Sequence, residues 1–171
     1  MARHLLTLPA PSYADPGLHD AIARLRSPAE QRKWFAMHVM YAGCGCSQRV
    51  LGNLLLRAPV ENVAERIVFI GKDDDDVEGK ARALGYGFDS VTREELAARY
   101  HVEAAPLLVV ADQNGNVKYV GGYTDRKQSP AIRDTEILSG LVRGARVAPL
   151  PTFGCAVSDK LQATVNPLGI K

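Results

Sequence analysis

Two apolar runs interrupt an otherwise mixed sequence: WFAMHVMYA at 34–42 and RIVFIG at 66–71. Apolar runs of strand length without alternation belong to strands covered on both faces, as in a sheet sandwiched by helices. Between them the period becomes helical. Val50, Leu51, Leu54, Leu55 and Ala58 share one face and Pro59 closes the element. An earlier helix is predicted where Asp15 offers an N-cap and Pro16 fills the first helical position, with Leu18, Ile22 and Leu25 at helical spacing. Ser27-Pro28 ends it, and Glu30 completes a capping box for one further turn. Thr92 and Glu95 form a second capping box, for a short helix carrying Leu96, Ala97 and Tyr100. LLVVA (107–111), the turn dipeptide Asn114-Gly115 and VKYV (117–120) read as a β-hairpin. Ile137, Leu138, Leu141 and Val142 mark a last amphipathic helix, and after Gly144 the chain reads as irregular.

The resulting order is strand, helix, strand, helix, strand, strand, helix. It predicts an α/β fold with a mixed central sheet flanked by helices. The first two strands, joined by a helix, run parallel, and the hairpin is antiparallel. The 171 residues suit one domain with extensions: an arm and helix over 1–29, a core over 30–145, and a C-terminal extension over 146–171 that carries Cys155.

Composition narrows the partners. A hydrophobic share of 46% and a charged share of 23% are those of a globular protein. A net charge of +2 without a basic tract gives no reason to expect nucleic acid. No apolar run approaches the ~20 residues of a membrane span. The start MARHLLTLPAPSYADPG has too short an apolar core for a signal peptide, which leaves cytoplasm or export through an absent leader. KDDDDVEGK reads as a solvated loop, because it lacks the alternate spacing and glycine bend of a calcium loop.

The candidate chemistry lies in YAGCGCSQRV, where Cys44 and Cys46 flank Gly45 at the strand-to-helix junction. Unpaired amides and the helix dipole favour a thiolate there, and on this ground Cys46, in the first turn, is the more acidic thiol. Redox chemistry, metal binding and inert packing all stay open. A tetrahedral metal site needs further ligands, and Cys155, His38 and His101 are the candidates. His38 sits inside the first strand and reads as a packed histidine. A copper site of two thiolates and one histidine is conceivable. No phosphate-binding glycine loop is present, and no cofactor is implied.

The strand running into GCGCSQRVLGNLLL, together with ELAARYHVEAAPLLVVADQNGNVKYVGGY, resembles the thioredoxin-like superfamily, especially membrane-anchored bacterial thiol reductases of the TlpA type. The resemblance covers roughly residues 30–145. It implies that Pro106 is cis and shapes a substrate groove with Gly45, while the Ala105 backbone is left free to pair with an extended peptide. It also implies that Cys44 is the exposed attacking thiol and Cys46 the resolving one. This chain has one residue between its cysteines where the superfamily usually has two. A disulfide across one residue closes a strained ring and is expected to be readily reduced. CxCS, a GG strand end and a late FGC are similar to a RedB-like subgroup, which implies a tail folded across the site with Cys155 as third redox partner. The implied function is thiol–disulfide exchange with protein substrates and a redox partner protein, in the periplasm or anchored at its membrane. The rival readings are a copper-handling protein on this fold and a redox-silent peptide-binding module.

Overall fold

The computed structural model describes residues 7–167. Asp15 caps the first helix, α1 (Pro16–Leu25), its carboxylate accepting from the Leu18 amide at 3.0 Å. A 3-10 turn at Pro28–Glu30 follows, with Glu30 closing its capping box onto Ser27. The first apolar run is β1 (Trp34–Tyr41), which leads into α2 (Gly45–Leu54). The second is β2 (Val63–Ile70), parallel to β1 from Trp34 opposite Val63 to Tyr41 opposite Ile70. Next come α3 (Val77–Leu84), β3 (Gly87–Val91) and α4 (Arg93–Tyr100), then the two-residue strand β4 (Ala104–Ala105). The hairpin is β5 (Leu107–Ala111) and β6 (Val117–Gly121). It turns at Gly115, whose φ of +85° suits glycine, while the Asp112 carboxylate accepts from the Asn114 and Asn116 amides. The chain ends in α5 (Asp134–Val142), β7 (Cys155–Ala156) and α6 (Asp159–Val165).

The main sheet has the order β3-β2-β1-β5-β6, with β5 antiparallel to both of its neighbours. Helices cover both faces. Phe35, Met37 and Val39 join Leu18 and Ile22 of α1 and Leu96 and Tyr100 of α4 in one core. Ala36 and Met40 join Val50, Leu51 and Leu54 of α2, Ala81 of α3 and Ile137, Leu138 and Leu141 of α5 in the other. The unbroken apolar runs therefore match strands buried on both sides.

Three parts of the sequence reading change. The segment after β2 holds a helix and an edge strand that the apolar pattern did not announce. The aspartates of KDDDDVEGK build that helix start: Asp73 accepts from the Val77 and Glu78 amides, and Asp76 is the N-cap, accepting from Gly79. Helix α2 stops at Leu54, before Leu55 and Ala58. The tail is not irregular. It contributes a strand, a helix and Val157, which is fully buried in the core that holds Phe35.

β1 carries one polar residue inward, and the fold surrounds it with partners. The His38 ring nitrogens lie 2.9 Å from the Tyr123 hydroxyl and 2.8 Å from Glu65 Oε2. Arg57, just beyond α2, donates to both Glu65 oxygens at 3.0 and 2.8 Å and also to Asp134, which accepts from Asn53 at 3.1 Å. Burial alone would raise the Glu65 pKa, but the hydrogen bonds from His38 and Arg57 outweigh it and bring it from 4.5 down to about 2. A carboxyl with a depressed folded-state pKa stabilises the fold above its unfolded value, and that stability is lost as pH falls through the folded one. Acid unfolding should therefore steepen between pH 4.5 and about 2. Glu65→Gln should cost about 3 kcal/mol at neutral pH and flatten that limb, as read by circular dichroism against pH and denaturant. An unchanged acid limb in the variant would remove this assignment.

Candidate active site

The turn that carries the first two cysteines is held from both ends. Ala42 continues the ladder by donating to Ile70 O at 2.9 Å, and the Cys44 amide closes a turn onto Tyr41 O at 3.0 Å. The buried Ser47 hydroxyl accepts from the Tyr41 amide at 3.1 Å, and Gln48 Nε2 donates to Ala42 O at 3.0 Å. These bonds make Cys44 the N-cap of α2, with extended backbone, while Gly45 opens the helix and is exposed. Cys46 lies in the first turn and is half-buried.

Cys44 is fully buried, with its Sγ 3.6 Å from Ala105 O. The Ala105–Pro106 peptide is cis. The Ala105 backbone is not free: β4 pairs antiparallel with β7, placing Ala105 opposite Cys155 and Ala104 opposite Ala156. Cys44 and Cys155 thus converge on the same alanine from different directions. All three cysteines are free thiols in this structure.

The tail reaches this position through close backbone contacts. The Gly122 amide donates to Leu150 O at 2.9 Å, and a side chain on Gly122 would put its Cβ 2.0 Å from Pro151 O. Gly154 lies as close to Ala105: its Cβ would fall 2.0 Å from Ala105 O and 2.7 Å from Pro106 Cδ. Beyond Cys155 the Val157 amide donates to Glu103 O at 2.7 Å, and Ser158, the α6 N-cap, donates its hydroxyl to Glu103 Oε1 at 2.9 Å. Cys155 is therefore held from both sides.

The electrostatics centre on Cys44. Its pKa is pulled far below 9.0, first by a hydrogen bond from the Cys155 thiol and then by one from Cys46, with the Ser47 and Cys46 amides assisting against burial. Cys46 is pushed above 9.0 by its bond to Cys44 and by burial, although Arg49 and Lys127 pull the other way. Cys155 is raised by the same two causes. These directions favour ionisation of Cys44 ahead of Cys46 and Cys155. Ala105 O opposes that ionisation, because it accepts a hydrogen bond from Cys44 only in the thiol form. The sequence reading assigned acidity to Cys46 and exposure to Cys44; here Cys44 is the buried thiol, and the pKa directions favour its ionisation over that of Cys46.

The histidines weighed as copper ligands are engaged elsewhere. His38 is in the buried network, and His101, at the C-cap of α4, pairs with Asp15 at 2.8 Å. Among the described residues no group of three or more His, Cys, Asp or Glu is arranged to hold a metal ion. A cleft of about 550 Å³ opens beside Gly43, lined by Tyr41, Lys72, Thr92 and Arg93 among others, and none of the cysteines lines it. No described helix is long and apolar enough to cross a membrane. Gly154, Glu103 and Ser158 went unnoticed in the sequence. The FGC triplet and the paired Gly121-Gly122 were the only local signs of them.

No family model and no curated protein matches the chain. Solved structures do. An uncharacterized conserved protein from Geobacillus kaustophilus superposes with a TM-score of 0.56 at 18% identity, over 74% of this chain and 77% of that one. A hypothetical protein from Sinorhizobium meliloti gives 0.51 at 16% identity, over 75% and 80%. A thioredoxin-like protein in its oxidized form gives 0.51 at 11% identity, over 72% and 84%. At these identities the likeness shows the fold, and the chain has the thioredoxin-like fold.

This order of ionisation is measurable. Thiolate absorbance titrated against pH should show one thiolate persisting well below the ordinary cysteine value of 9.0, and Cys44→Ser should abolish it. Persistence of the low-pH thiolate in Cys44→Ser, with loss in Cys46→Ser, would place the charge on Cys46 instead.

Proposed function

We propose that the protein is a thiol–disulfide oxidoreductase acting on protein disulfides through the Cys44-Gly45-Cys46 turn, with Cys155 as third redox partner. The observation that carries the reading is the convergence of Cys44 and Cys155 on Ala105, beside the cis peptide to Pro106, with Cys46 two residues further along the turn. A thiolate is the nucleophile in disulfide exchange, and neighbouring thiols supply both the proton and the resolving sulfur. Inert packing does not call for a thiol at a helix N-cap with a second thiol brought across from it by the tail. The thioredoxin-like fold agrees with this chemistry.

In this reading Pro106 and Gly45 border the site and no organic cofactor takes part. The partners are protein thiols or disulfides and a second redox protein that resets the cysteines. The setting is the periplasm or the periplasmic face of a membrane, where protein disulfides persist. Fractionation of native cells tests that part separately. The peptide-binding module is the weaker reading, because the Ala105 edge that would receive a peptide is taken by β7.

Reduction of insulin by the protein, driven by a small thiol, should run well above the uncatalysed rate and fall to it in Cys44→Ser. A folded wild type that neither reduces insulin nor exchanges with oxidised glutathione would end the enzyme reading.

A further inference from the structure

Resting on the exchange reading above, we propose that the three cysteines act in a set order: Cys46 meets the incoming disulfide, Cys44 is the internal hub, and Cys155, held by β7, is where the disulfide comes to rest.

Access sets the first step. Cys44 is fully buried and Cys46 is half-exposed at the start of α2. Cys155 is also half-exposed, but it lies within a strand whose neighbours are anchored. Leu150 and Pro151 press on Gly122, Thr152 O accepts from the Leu8 amide at 2.9 Å, and Val157 is buried. An extended client cannot pair with Ala105 while β7 does. The thiol that a client sulfur can approach is the half-exposed one on the helix side of the site.

Contact sets the rest. Cys44 Sγ lies 3.6 Å from Ala105 O, Cys155 sits across from Ala105, and only Gly45 separates Cys44 from Cys46, so the route between the outer thiols runs through Cys44. In the first step Cys46 passes its proton to the Cys44 sulfur and attacks one sulfur of a client disulfide, R–S–S–R′. A Cys46–S–S–R bond forms, and R′–S⁻ leaves with the electron pair and takes that proton from Cys44. In the second, the Cys44 thiolate attacks Cys46 Sγ, forming Cys44–Cys46 and expelling R–S⁻, which takes the Cys155 proton. In the third, the Cys155 thiolate attacks Cys44 Sγ and expels Cys46 as the thiolate. In sum, two protein thiols lose two electrons and two protons, and the client becomes R–SH and R′–SH. The oxidised protein holds Cys44–Cys155 and keeps Cys46 free to meet its next partner. The same steps in reverse oxidise a client.

Gly154 is the positioning residue for the last transfer. Its missing side chain is what lets Cys155 pair across from Ala105, since a Cβ there would overlap the carbonyl oxygen.

The test treats the reduced full chain with one equivalent of a model peptide disulfide, quenches with acid at intervals and maps disulfides by mass spectrometry without reduction. The expected course is an early adduct on Cys46 followed by Cys44–Cys155. Cys155→Ser should stop at Cys44–Cys46, and Gly154→Ala should lose the Cys44–Cys155 product while still forming the Cys46 adduct. Cys46→Ser should lose adduct formation altogether. An early adduct on Cys44 or Cys155, a final Cys46–Cys155 bond, or a wild type that rests at Cys44–Cys46 would overturn the order while leaving thiol exchange intact. No exchange at all would take both down. Should Gly154→Ala fail to fold, the isosteric Cys155→Ser still decides the last step.

Discussion

β1 is sealed on both faces, by α1 and α4 on one side and by α2, α3 and α5 on the other, and hydrogen-bonded on both edges to β2 and β5. Its only way out is along its own axis. The chain therefore emerges at Tyr41 on the edge where β2 also ends, and must turn at once into a helix that packs back over the sheet. The cap of that helix is the first fully buried residue after the strand, and it is Cys44. Position at the strand end and burial are two consequences of one packing requirement.

The same sealing explains the charge network. A polar side chain in a two-sided strand has no water, so His38 needs partners built from elsewhere. Glu65 supplies one, and its own burial requires Arg57, which in turn is shared with Asp134. The network ties β1, β2, the end of α2 and the start of α5, so the elements that shape the edge of the site also share one electrostatic unit. Removing a member would leave a buried charge unpaired rather than merely lose a contact.

On the opposite side of Cys44 the chain closes its own groove. Ala105, Pro106 and Cys155 form a corner in which backbone, not side chain, makes the approach, and glycine at 154 and 122 is the condition for it. The thiol cluster exists because two segments far apart in sequence touch the same carbonyl from two directions.

How much of this was legible follows from range. Elements whose cause is local were readable: the apolar runs of β1 and β2, the Asp15, Ser27 and Thr92 caps and the Asn114-Gly115 turn each announce themselves within a few residues. So was the kinship of the core with the thioredoxin-like fold. β3 was not, because GFDSV is an edge strand whose half-burial depends on β2 beside it. Nor was α3, whose caps hide in an acidic run that reads as a loop. By itself the sequence determined that two thiols sit where a strand becomes a helix, since period and turn chemistry are properties of neighbouring residues. Only the tertiary structure decided that Cys44 is the buried thiol, that Cys155 comes to the same alanine, and that the tail, rather than solvent, lies against Ala105. Those outcomes depend on burial and on a backbone approach between distant segments, and neither has a local signature.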